Sequence, residues 1–422
     1  MRIAVIAAPN PGYANPGMLT VDLAAAGVLK RAVPTSVLSW YTLHPPDQLG
    51  DIHPYVNSAE LPFKWLPLIE HFDAVCDHDA ILLWGDFLQA RHYFVEDALP
   101  RLALSLNGQM SAERAVDVLS RYLLFGDAPL SVLRKVIIFG STILFNRQTD
   151  YADDCYGDHL TRLFQNCRGI WAREPISAAK IQHVTRDYAS MPLGTDPAFL
   201  LRDEDLAGLS TTTWIDASFA RRVGFFFGGR TTPPLAILGF LRQIARQLGL
   251  HLEWLPWFAI HEALQRVPRS WFLNPVRAGY ILGSRRTINH LMVRGTQYSA
   301  GDLLAAIRGY RFIVTDTYHL CVNSWRVGTP AICFGNLEGS PIQQSLDDYK
   351  KRVLYDMYDA TDFYFSTSSL RSKSGRKRAR EKVLRVVTDG SSAAAITERI
   401  HAHARHVEKS LADRLSALVN NK

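Results

Sequence analysis

Short apolar runs alternate along the chain with longer segments in which apolar residues recur every three or four positions. Six apolar runs in the first half predict strands, at residues 2–8, 36–41, 80–85, 135–140, 169–173 and 188–194. Helical patterns separate them, for example at residues 18–32, 111–126 and 157–167. Strands that alternate with helices predict βαβ units and a parallel sheet, and near-continuous apolar strands fit a sheet covered on both faces.

This alternation stops between residues 203 and 222 and then begins again. The interruption is polar and rich in Asp, Ser and Thr, which predicts a linker. The second series predicts strands at 223–229, 250–256, 311–316 and 330–335, and helices at 233–249, 299–309 and 318–328. We therefore predict two Rossmann-like α/β domains, at residues 1–202 and 223–345, joined by the linker 203–222.

The remaining segment, residues 346–422, is predicted to be helical. Residues 366–382 within it are rich in Ser, Lys and Arg. A solvated loop that leads into a basic helix is the simpler interpretation. Contact with an anionic membrane surface or an anionic glycan is the alternative.

Composition narrows the class of protein. With 47% hydrophobic and 21% charged residues and no long apolar run, the chain is predicted to be a globular protein without a membrane span. Its 5 cysteines form no CxxC pair, and its start is strand-like, so we expect neither a disulfide framework nor a zinc site, and a cytoplasmic location. The net charge of +7 fits an anionic ligand or an acidic membrane surface but does not imply nucleic acid.

Two loops follow predicted strands, where ligands of open α/β sheets bind. Residues 9–17 hold two glycines and three prolines but no GxGxxG, so they form either a plain turn or a substrate-contacting loop. Residues 227–234 place Arg230 and two threonines before two prolines, which fits either helix capping or an anion at a helix N-terminus. Arg285 and Arg286 add positive charge nearby in the sequence.

A third candidate is the helix predicted after the strand that ends at Asp316. Asp316 or Thr317 is expected to cap this helix. His319, Asn323 and Arg326 follow at spacings that place them on one helical face. His319, in the first turn, is either a general acid or anion-binding group, or a half-buried histidine with a structural role.

Four motifs resemble, in the same order, those of the polysaccharide pyruvyl transferases. Asn15 and Gly17 resemble the family's Asn-Gly turn before a helix, although the usual Gly-Asp is missing. The segment 171–177, WAREPIS, resembles its Arg-Asp-Glu-type motif, and residues 195–201, TDPAFLL, resemble its Asp-Pro-Ala-Phe motif. His319 is followed nine residues later by Gly-Thr-Pro, which is similar to the family's Arg-Leu-His helix that ends at Gly-Val-Pro.

The resemblance implies a GT-B-like fold with two domains facing across a cleft. It also implies transfer of a pyruvyl group from phosphoenolpyruvate to a sugar of a glycan or glycolipid precursor, as a ketal, in cell-envelope or exopolysaccharide biosynthesis. On this basis we expect no metal and no cofactor, since phosphoenolpyruvate is the donor substrate. Nucleic acid is not expected as a partner, and the oligomeric state stays open.

The resemblance also assigns roles to residues. His319 is the expected catalytic acid. The expected donor-binding and anion-binding residues are Arg173, Arg230, Arg285, Thr317, Asn323 and Arg326. The expected substrate-contacting loops contain Asn15, Gly17, Glu174 and Asp196. One departure matters: Thr317 stands where the family has an arginine, which puts the donor's anion site in question.

Two other functions stay open at this point. A nucleotide-sugar-dependent glycosyltransferase of the same architecture would need an acidic residue for the ribose, and Glu338 is a candidate. A non-catalytic binding relative would explain the loss of the arginine at position 317.

Overall fold

A computed structural model of the protein describes most of the chain. The described residues are 1–9, 15–47, 49, 61–85, 87–98, 110–152, 154–187, 191–206, 209, 220–227, 235–255, 257, 292–293, 297–298, 300–335 and 346–420. Within them, strands and helices alternate, and the strands form two separate parallel sheets and one short antiparallel pair. The predicted α/β architecture with two Rossmann-like units is confirmed.

The first sheet has six parallel strands in the order β3-β2-β1-β4-β5-β6. Its strands are β1 (Arg2–Ile6), β2 (Val37–Thr42), β3 (Trp65–Pro67), β4 (Ala80–Trp84), β5 (Val136–Ser141) and β6 (Gly169–Ala172). Its helices are α1 (Pro16–Ala32), α2 (Phe72–Cys76), α3 (Arg91–Tyr93), α4 (Ala112–Leu123), α5 (Leu130–Leu133), α6 (Asp154–Asn166) and α7 (Pro175–Thr185). Because β1 pairs with both β2 and β4, the strand order reverses there. Ligands of open α/β sheets bind at the carboxyl edge beside such a point.

The second sheet has five parallel strands in the order β13-β12-β11-β7-β8. The strands of the second half are β7 (Arg222–Phe226), β8 (His251–Trp254), the antiparallel pair β9 (Met292–Val293) and β10 (Gln297–Tyr298), β11 (Phe312–Thr315), β12 (Ala331–Gly335) and β13 (Tyr364–Ser366). The helices are α8 (Leu235–Gln247), α9 (Ala300–Ile307), α10 (Tyr318–Arg326), α11 (Leu346–Met357), α12 (Lys373–Thr388) and α13 (Gly390–Asn420). Here the order reverses at β7, and α10 begins directly after its neighbour β11.

Short helical turns complete the described chain. The 3₁₀ turns are Gln148–Ala152, Pro197–Leu200, Asp203–Leu206, Thr361–Phe363 and Thr367–Leu370, and a π turn spans Phe94–Ala98. None of the helices within the described residues has the length and apolar character that a membrane span requires.

The strand β1 shows why the sequences of the sheet strands are unbroken apolar runs. Ile3 and Val5 join one apolar cluster, and Ala4 and Ile6 join another, because successive side chains of a strand point to opposite faces. All four are fully buried. Both faces of the sheet are therefore covered, as expected for a parallel sheet.

The helix α1 begins where the sequence supplies a cap. The Asn15 side chain accepts a hydrogen bond from the Gly17 amide at 3.0 Å, and Pro16 occupies the first helical position. Lys30 and Arg31 lie in the last turn, where positive charge favours the negative end of the helix dipole. These local preferences fix the N-terminus of α1 at the carboxyl edge of the first sheet.

The structure differs from the sequence analysis in three places. The strand predicted at 188–194 is reduced to a single bridge between Ala172 and Leu193, since Pro192 cannot donate a backbone hydrogen bond; residues 188–190 lie outside the described residues. The segment 346–422 is mostly helical but also contributes β13 to the second sheet, so this sheet extends past residue 345. The strand β3 was not predicted, because three residues are too short to show an alternating pattern.

Part of the predicted linker 203–222 is described, at residues 203–206, 209 and 220–222. The boundaries predicted for the two domains and the linker stay predictions.

The long helix α13 crosses back over both halves of the protein. Arg31 of α1 donates to Asp205 at 2.7 Å and to Glu408 of α13 at 2.8 Å. Farther along α13, the His401 ring contacts the Arg326 carbonyl at the end of α10 at 2.8 Å. The helix therefore holds α1 of the first sheet and α10 of the second in one arrangement.

Replacement of Arg31 by Met is expected to lower the free energy of unfolding by about 1–3 kcal/mol, because Asp205 and Glu408 lose their shared cation. Urea unfolding followed by circular dichroism measures this loss. The matched control is Arg405→Met, whose pair with Glu398 is exposed on both sides, so a loss below about 1 kcal/mol is expected. Equal losses in the two variants would contradict the role of Arg31 in joining α1 to Asp205 and to Glu408 of α13.

Candidate functional site

The N-termini of α1 and α10 meet between the two sheets. Gly17 of α1 packs directly against the side chain of His319 of α10. A Cβ atom built on Gly17 would overlap the Cβ of His319 and lie 2.5 Å from its Cγ. Only glycine therefore allows this approach, and it brings together two residues that the sequence analysis selected separately.

A chain of buried hydrogen bonds holds this contact. Asn323 donates to the Thr20 hydroxyl of α1 at 3.2 Å and to the His319 carbonyl at 3.0 Å. Thr20 in turn donates to the Gly17 carbonyl at 2.7 Å. Asn323 and Thr20 are both fully buried. Asn323, predicted to bind the donor, thus lies in the interface between α1 and α10.

Arg326 lies at the opposite end of α10 from His319, about 10 Å along the helix axis. Its guanidinium donates to the Leu201 carbonyl at 3.3 Å and lies 3.8 Å from Asp203. Burial lowers the pKa of Arg326 to about 10, and Asp203 opposes that shift, so Arg326 is charged at neutral pH. The structure therefore places it in the contact between the domains and does not bring it to His319.

Thr317 occupies the N-cap position of α10 without capping it. Its backbone is extended, but its hydroxyl donates to the Asp316 carboxylate at 3.3 Å, and its side chain accepts from none of the amides in the first turn. Of the two caps predicted from the sequence, the one from Thr317 is therefore wrong. An N-terminus whose amides lack a cap favours binding of an anion.

Arg173 and Lys350 lie against the same two aromatic rings. The Arg173 guanidinium is 5.1 Å from the ring centre of Phe87 and 5.4 Å from that of Tyr318. The Lys350 ammonium of α11 is 5.7 Å and 5.2 Å from the same ring centres. Both cations are within the range of cation–π attraction. They line one small cavity together with Tyr318.

Glu174 and Asp196 orient Arg173 within this cavity. The Arg173 guanidinium lies 3.7 Å from Glu174 and 3.9 Å from Asp196. Glu174 also accepts hydrogen bonds from Thr142, at 2.9 Å, and from Ser177. Asp196 caps the turn that follows it by accepting from the backbone amide two residues later. These carboxylates therefore fix the loops around Arg173.

Two histidines beside the cavity are neutral at physiological pH. Burial, followed by the charges of Lys350 and then Arg173, lowers the pKa of His319 to about 3. The same causes, in the same order, lower the pKa of His92 to about 4. Within the described part of the chain, the Nδ1 atom of each ring is buried and has no hydrogen-bond partner. The positive potential of the two cations thus reaches both imidazoles.

Tyr318 separates His319 from the two cations. Its ring is perpendicular to the His319 ring, with the centres 5.4 Å apart. Burial and then the Asp196 carboxylate hold the pKa of Tyr318 well above its usual range, so the hydroxyl keeps its proton. Tyr318 can therefore donate a hydrogen bond within the cavity.

Sequence reasoning missed Lys350, His92, Phe87 and Tyr318. The sequence analysis predicted a helical segment from residue 346 onward but did not single out Lys350. Nothing in the sequence indicated His92, because its partners come from distant segments. Four residues considered from the sequence, Arg230, Arg285, Arg286 and Glu338, lie outside the described residues. Among the residues that the structure does describe, no group of three or more His, Cys, Asp or Glu side chains could hold a metal ion.

Substitution of Gly17 by Ala is expected to lower the free energy of unfolding by about 1–3 kcal/mol, because the new methyl group overlaps His319. It should also shift the NMR resonances of the His319 ring. The matched control is Gly239→Ala, in the exposed middle of α8, where a Cβ meets nothing within 4 Å. This control should be neutral or stabilising by up to about 1 kcal/mol. A Gly17→Ala protein as stable as the wild type would refute the contact.

The two neutral histidines make a prediction about pH. Below about pH 6.5 the unfolded chain protonates His92 and His319, whereas the folded protein does so only near their lowered pKa values of about 4 and about 3. Stability should therefore fall as the pH falls from 7 to 5, by at most about 1.4 kcal/mol per pH unit for each histidine.

Urea unfolding at several pH values measures this slope. A His92→Asn/His319→Asn double variant should show a shallower slope than the wild type. His251→Asn, which changes an exposed histidine, should keep the wild-type slope. An unchanged slope in the double variant would contradict the proposed protonation states.

The sequence matches the model of one known protein family. The family model "Polysaccharide pyruvyl transferase" matches residues 23–338, which include Arg173, Asp196 and His319. No curated protein sequence matches the chain.

Several solved structures are similar in fold. MnaA of S. aureus, in a co-structure with UDP, shares 10% identity with a TM-score of 0.47, over 96% of each chain. LpCGTa in complex with UDP shares 14% identity with a TM-score of 0.46, over 99% of each chain. UGT2 of Phytolacca americana, complexed with UDP-2fluoro-glucose and pterostilbene, shares 12% identity with a TM-score of 0.43, over 96% of this chain and 94% of that one. The family model spans well over half of the sequence, so the chain is a transferase that belongs to the polysaccharide pyruvyl transferase family.

Proposed function

We propose that the protein transfers a pyruvyl group from phosphoenolpyruvate to two neighbouring hydroxyls of a sugar, forming a ketal on a glycan or glycolipid precursor. One observation carries the proposal: the unpartnered Nδ1 of His319 lies at the start of α10, next to Tyr318, whose ring two cations approach. An anionic donor with a carbon that needs a proton fits this arrangement. Family membership supports the same chemistry.

The negative charges of the donor complement the positive groups of the site. Phosphoenolpyruvate carries about three negative charges, which Arg173 and the first-turn amides of α10 are suited to bind. Bound anions favour the charged form of a nearby histidine, so donor binding raises the pKa of His319 from its low value in the free protein. His319 then becomes an imidazolium only when the donor is present.

The reaction balances with His319 as the acid. His319 gives a proton to the methylene carbon, which becomes the methyl group of the ketal. The two sugar hydroxyls form C–O bonds to the central carbon, and the bond from that carbon to the phosphate oxygen breaks. One hydroxyl proton returns to His319 and the other leaves with the phosphate. Positive groups aimed at the departing phosphate stabilise this step.

The other residues around the site take supporting roles in this proposal. Gly17 and Asn15 shape the wall opposite His319, and Glu174 and Asp196 orient Arg173. Thr317 leaves the amides of α10 accessible, since its side chain caps none of them.

The donor is tested by thermal unfolding with phosphoenolpyruvate and, separately, with UDP-, GDP- and CDP-sugars. Phosphoenolpyruvate is expected to raise the unfolding midpoint, because a ligand that binds only the folded state stabilises it. His319→Ala should keep this rise but lose product formation by about 10²- to 10⁴-fold. The exposed His251→Ala is the matched control. A midpoint raised by a nucleotide sugar and not by phosphoenolpyruvate would overturn the proposal in favour of a glycosyltransferase.

A further inference from the structure

We propose that a basic groove between α8 and α12 is a docking surface for an anionic phospholipid membrane. The groove has a volume of about 1100 Å³. The described residues that line it are Lys373, Ser374, Arg376, Lys377 and Arg380 of α12 and Gly239, Phe240 and Gln243 of α8. The inference goes beyond the proposed function, because it concerns where the protein is held and not the reaction.

The two segments that form the groove carry positive charge and no negative charge. Residues 363–380 contain 6 Lys and Arg residues and no Asp or Glu. Residues 235–252 contain two arginines, Arg242 and Arg246, and likewise no Asp or Glu. In the whole chain 47 basic residues are nearly matched by 40 acidic ones, so this separation of charge is local. A surface of one sign attracts ions of the opposite sign.

Packing turns the basic side of α12 outward. Gly375, Ala379 and Val383 of this helix are buried. The four cations of α12 that line the groove lie three and four positions apart, so they share another face of the helix. Two of these cations are exposed and two are half-buried. The helix therefore presents a row of positive side chains to the groove.

The contacts of these cations do little to balance their charge. Arg376 donates to a backbone carbonyl at 2.9 Å, and Arg380 donates to the neutral side chain of Gln243 at 3.4 Å. Lys377 lies 3.9 Å from Glu381, but both side chains are exposed, so water and salt screen this pair. The groove therefore keeps a positive potential.

The helix α8 extends the positive surface beside the groove. Arg242 and Arg246 follow Gly239 and Gln243 by three positions, so each lies about one turn farther along a neighbouring side of α8. Both arginines are exposed. The positive side chains thus spread over two adjacent helices and do not converge on one point. This distribution suits a surface of many phosphates better than a single bound ion.

The lining of the groove favours a membrane over a soluble anionic glycan. Sugar rings are commonly held against exposed aromatic faces. The one aromatic residue in the described lining, Phe240, is only 3% exposed. Charge without such a face matches the way in which polybasic helices recognise anionic lipid.

The groove begins near the edge of the second sheet at which His319 lies. The helices α8, α10 and α12 each follow a parallel strand of this sheet, so their N-termini share its carboxyl edge. Lys373 is the first residue of α12, and Gly239 lies in the second turn of α8. A membrane at the groove therefore approaches the edge that carries the site, where it can present a glycolipid acceptor.

Flotation with lipid vesicles tests the inference on the full chain. Anionic vesicles contain phosphatidylcholine with about one third phosphatidylglycerol, and vesicles of phosphatidylcholine alone are the neutral comparison. The wild-type protein is expected to bind the anionic vesicles at least about tenfold more tightly than the neutral ones. Raising the salt concentration to about 0.5 M should remove most of this binding, because salt screens exposed charges.

A groove variant replaces the four cations of α12. Its substitutions are Lys373→Gln, Arg376→Gln, Lys377→Gln and Arg380→Gln. Binding to anionic vesicles should weaken by about 100- to 1000-fold, because each basic residue near such a surface contributes about a factor of five. The matched control removes four exposed arginines of the first half of the chain and should stay within a few-fold of the wild type. Its substitutions are Arg114→Gln, Arg121→Gln, Arg134→Gln and Arg147→Gln.

Two further variants separate charge from structure. Exchanging Lys and Arg at the four groove positions keeps every charge and should keep vesicle binding within a few-fold of the wild type. The double variant Lys373→Gln/Lys377→Gln changes exposed side chains alone and should bind about 10- to 30-fold more weakly, so it replaces the groove variant if that protein fails to fold. The unfolding midpoint of each variant reports on the fold. Phosphoenolpyruvate should raise the midpoint of the groove variant as it does that of the wild type, because the groove and the donor site are separate.

Three results overturn the inference. One is a wild-type protein that does not bind anionic vesicles. Another is equal binding by the control and a folded groove variant. The third is binding to soluble polygalacturonate without binding to vesicles, which would identify an anionic glycan as the ligand. Vesicle binding is measured without phosphoenolpyruvate, so none of these results bears on the proposed reaction.

Discussion

The approach of Gly17 to His319 fixes the relation between the two halves of the protein. The contact is short because glycine has no side chain, and a buried hydrogen-bond chain through Thr20 and Asn323 maintains it. Residues that are far apart in the sequence, such as Arg173 and Tyr318, lie close together in this arrangement. A looser contact between α1 and α10 would move the imidazole relative to the groups of the first domain.

The charges of the site are arranged around groups that are themselves neutral. Tyr318 keeps its proton, the two histidines are deprotonated, and the cations rest against aromatic faces. Arg173 also lies 3.7 Å from the Glu174 carboxylate and 3.9 Å from that of Asp196, so part of its charge is already balanced. The free protein thus holds positive charge near a neutral imidazole. In the proposed reaction, the donor therefore binds before the imidazole gains its proton.

Much of the fold followed from the sequence. The buried strands were predicted because a strand that is covered on both faces is apolar at nearly every position. The second series of strands and helices after residue 222 indicated a second sheet. The strand β3 and the single bridge at Leu193 were not predicted correctly, since they depend on pairing partners and not on local pattern. The helix α1 was predicted from residue 18, but Asn15 and Pro16 begin it two residues earlier, and the Thr317 hydroxyl contacts Asp316 instead of capping α10.

The site was less predictable than the fold for a physical reason. Helical spacing placed His319, Asn323 and Arg326 on one face, and the structure shows that this face is covered by the first domain and α13. Periodicity indicates which residues share a face but not what packs against it. Lys350 and His92 depend on contacts among four distant segments, so no local pattern could have indicated them.

The return of α13 to the first sheet has a consequence for biosynthesis. Arg31 meets Glu408, a residue 377 positions later, so α1 lacks this partner until nearly all of the described chain has been made. The last strand of the first sheet ends at residue 172, so this sheet can form early in synthesis. The contact between α1 and α13 forms last. A nascent chain stalled before α13 would carry every residue of the site and yet leave the outer side of α1 bare, in a form that chaperones and proteases recognise.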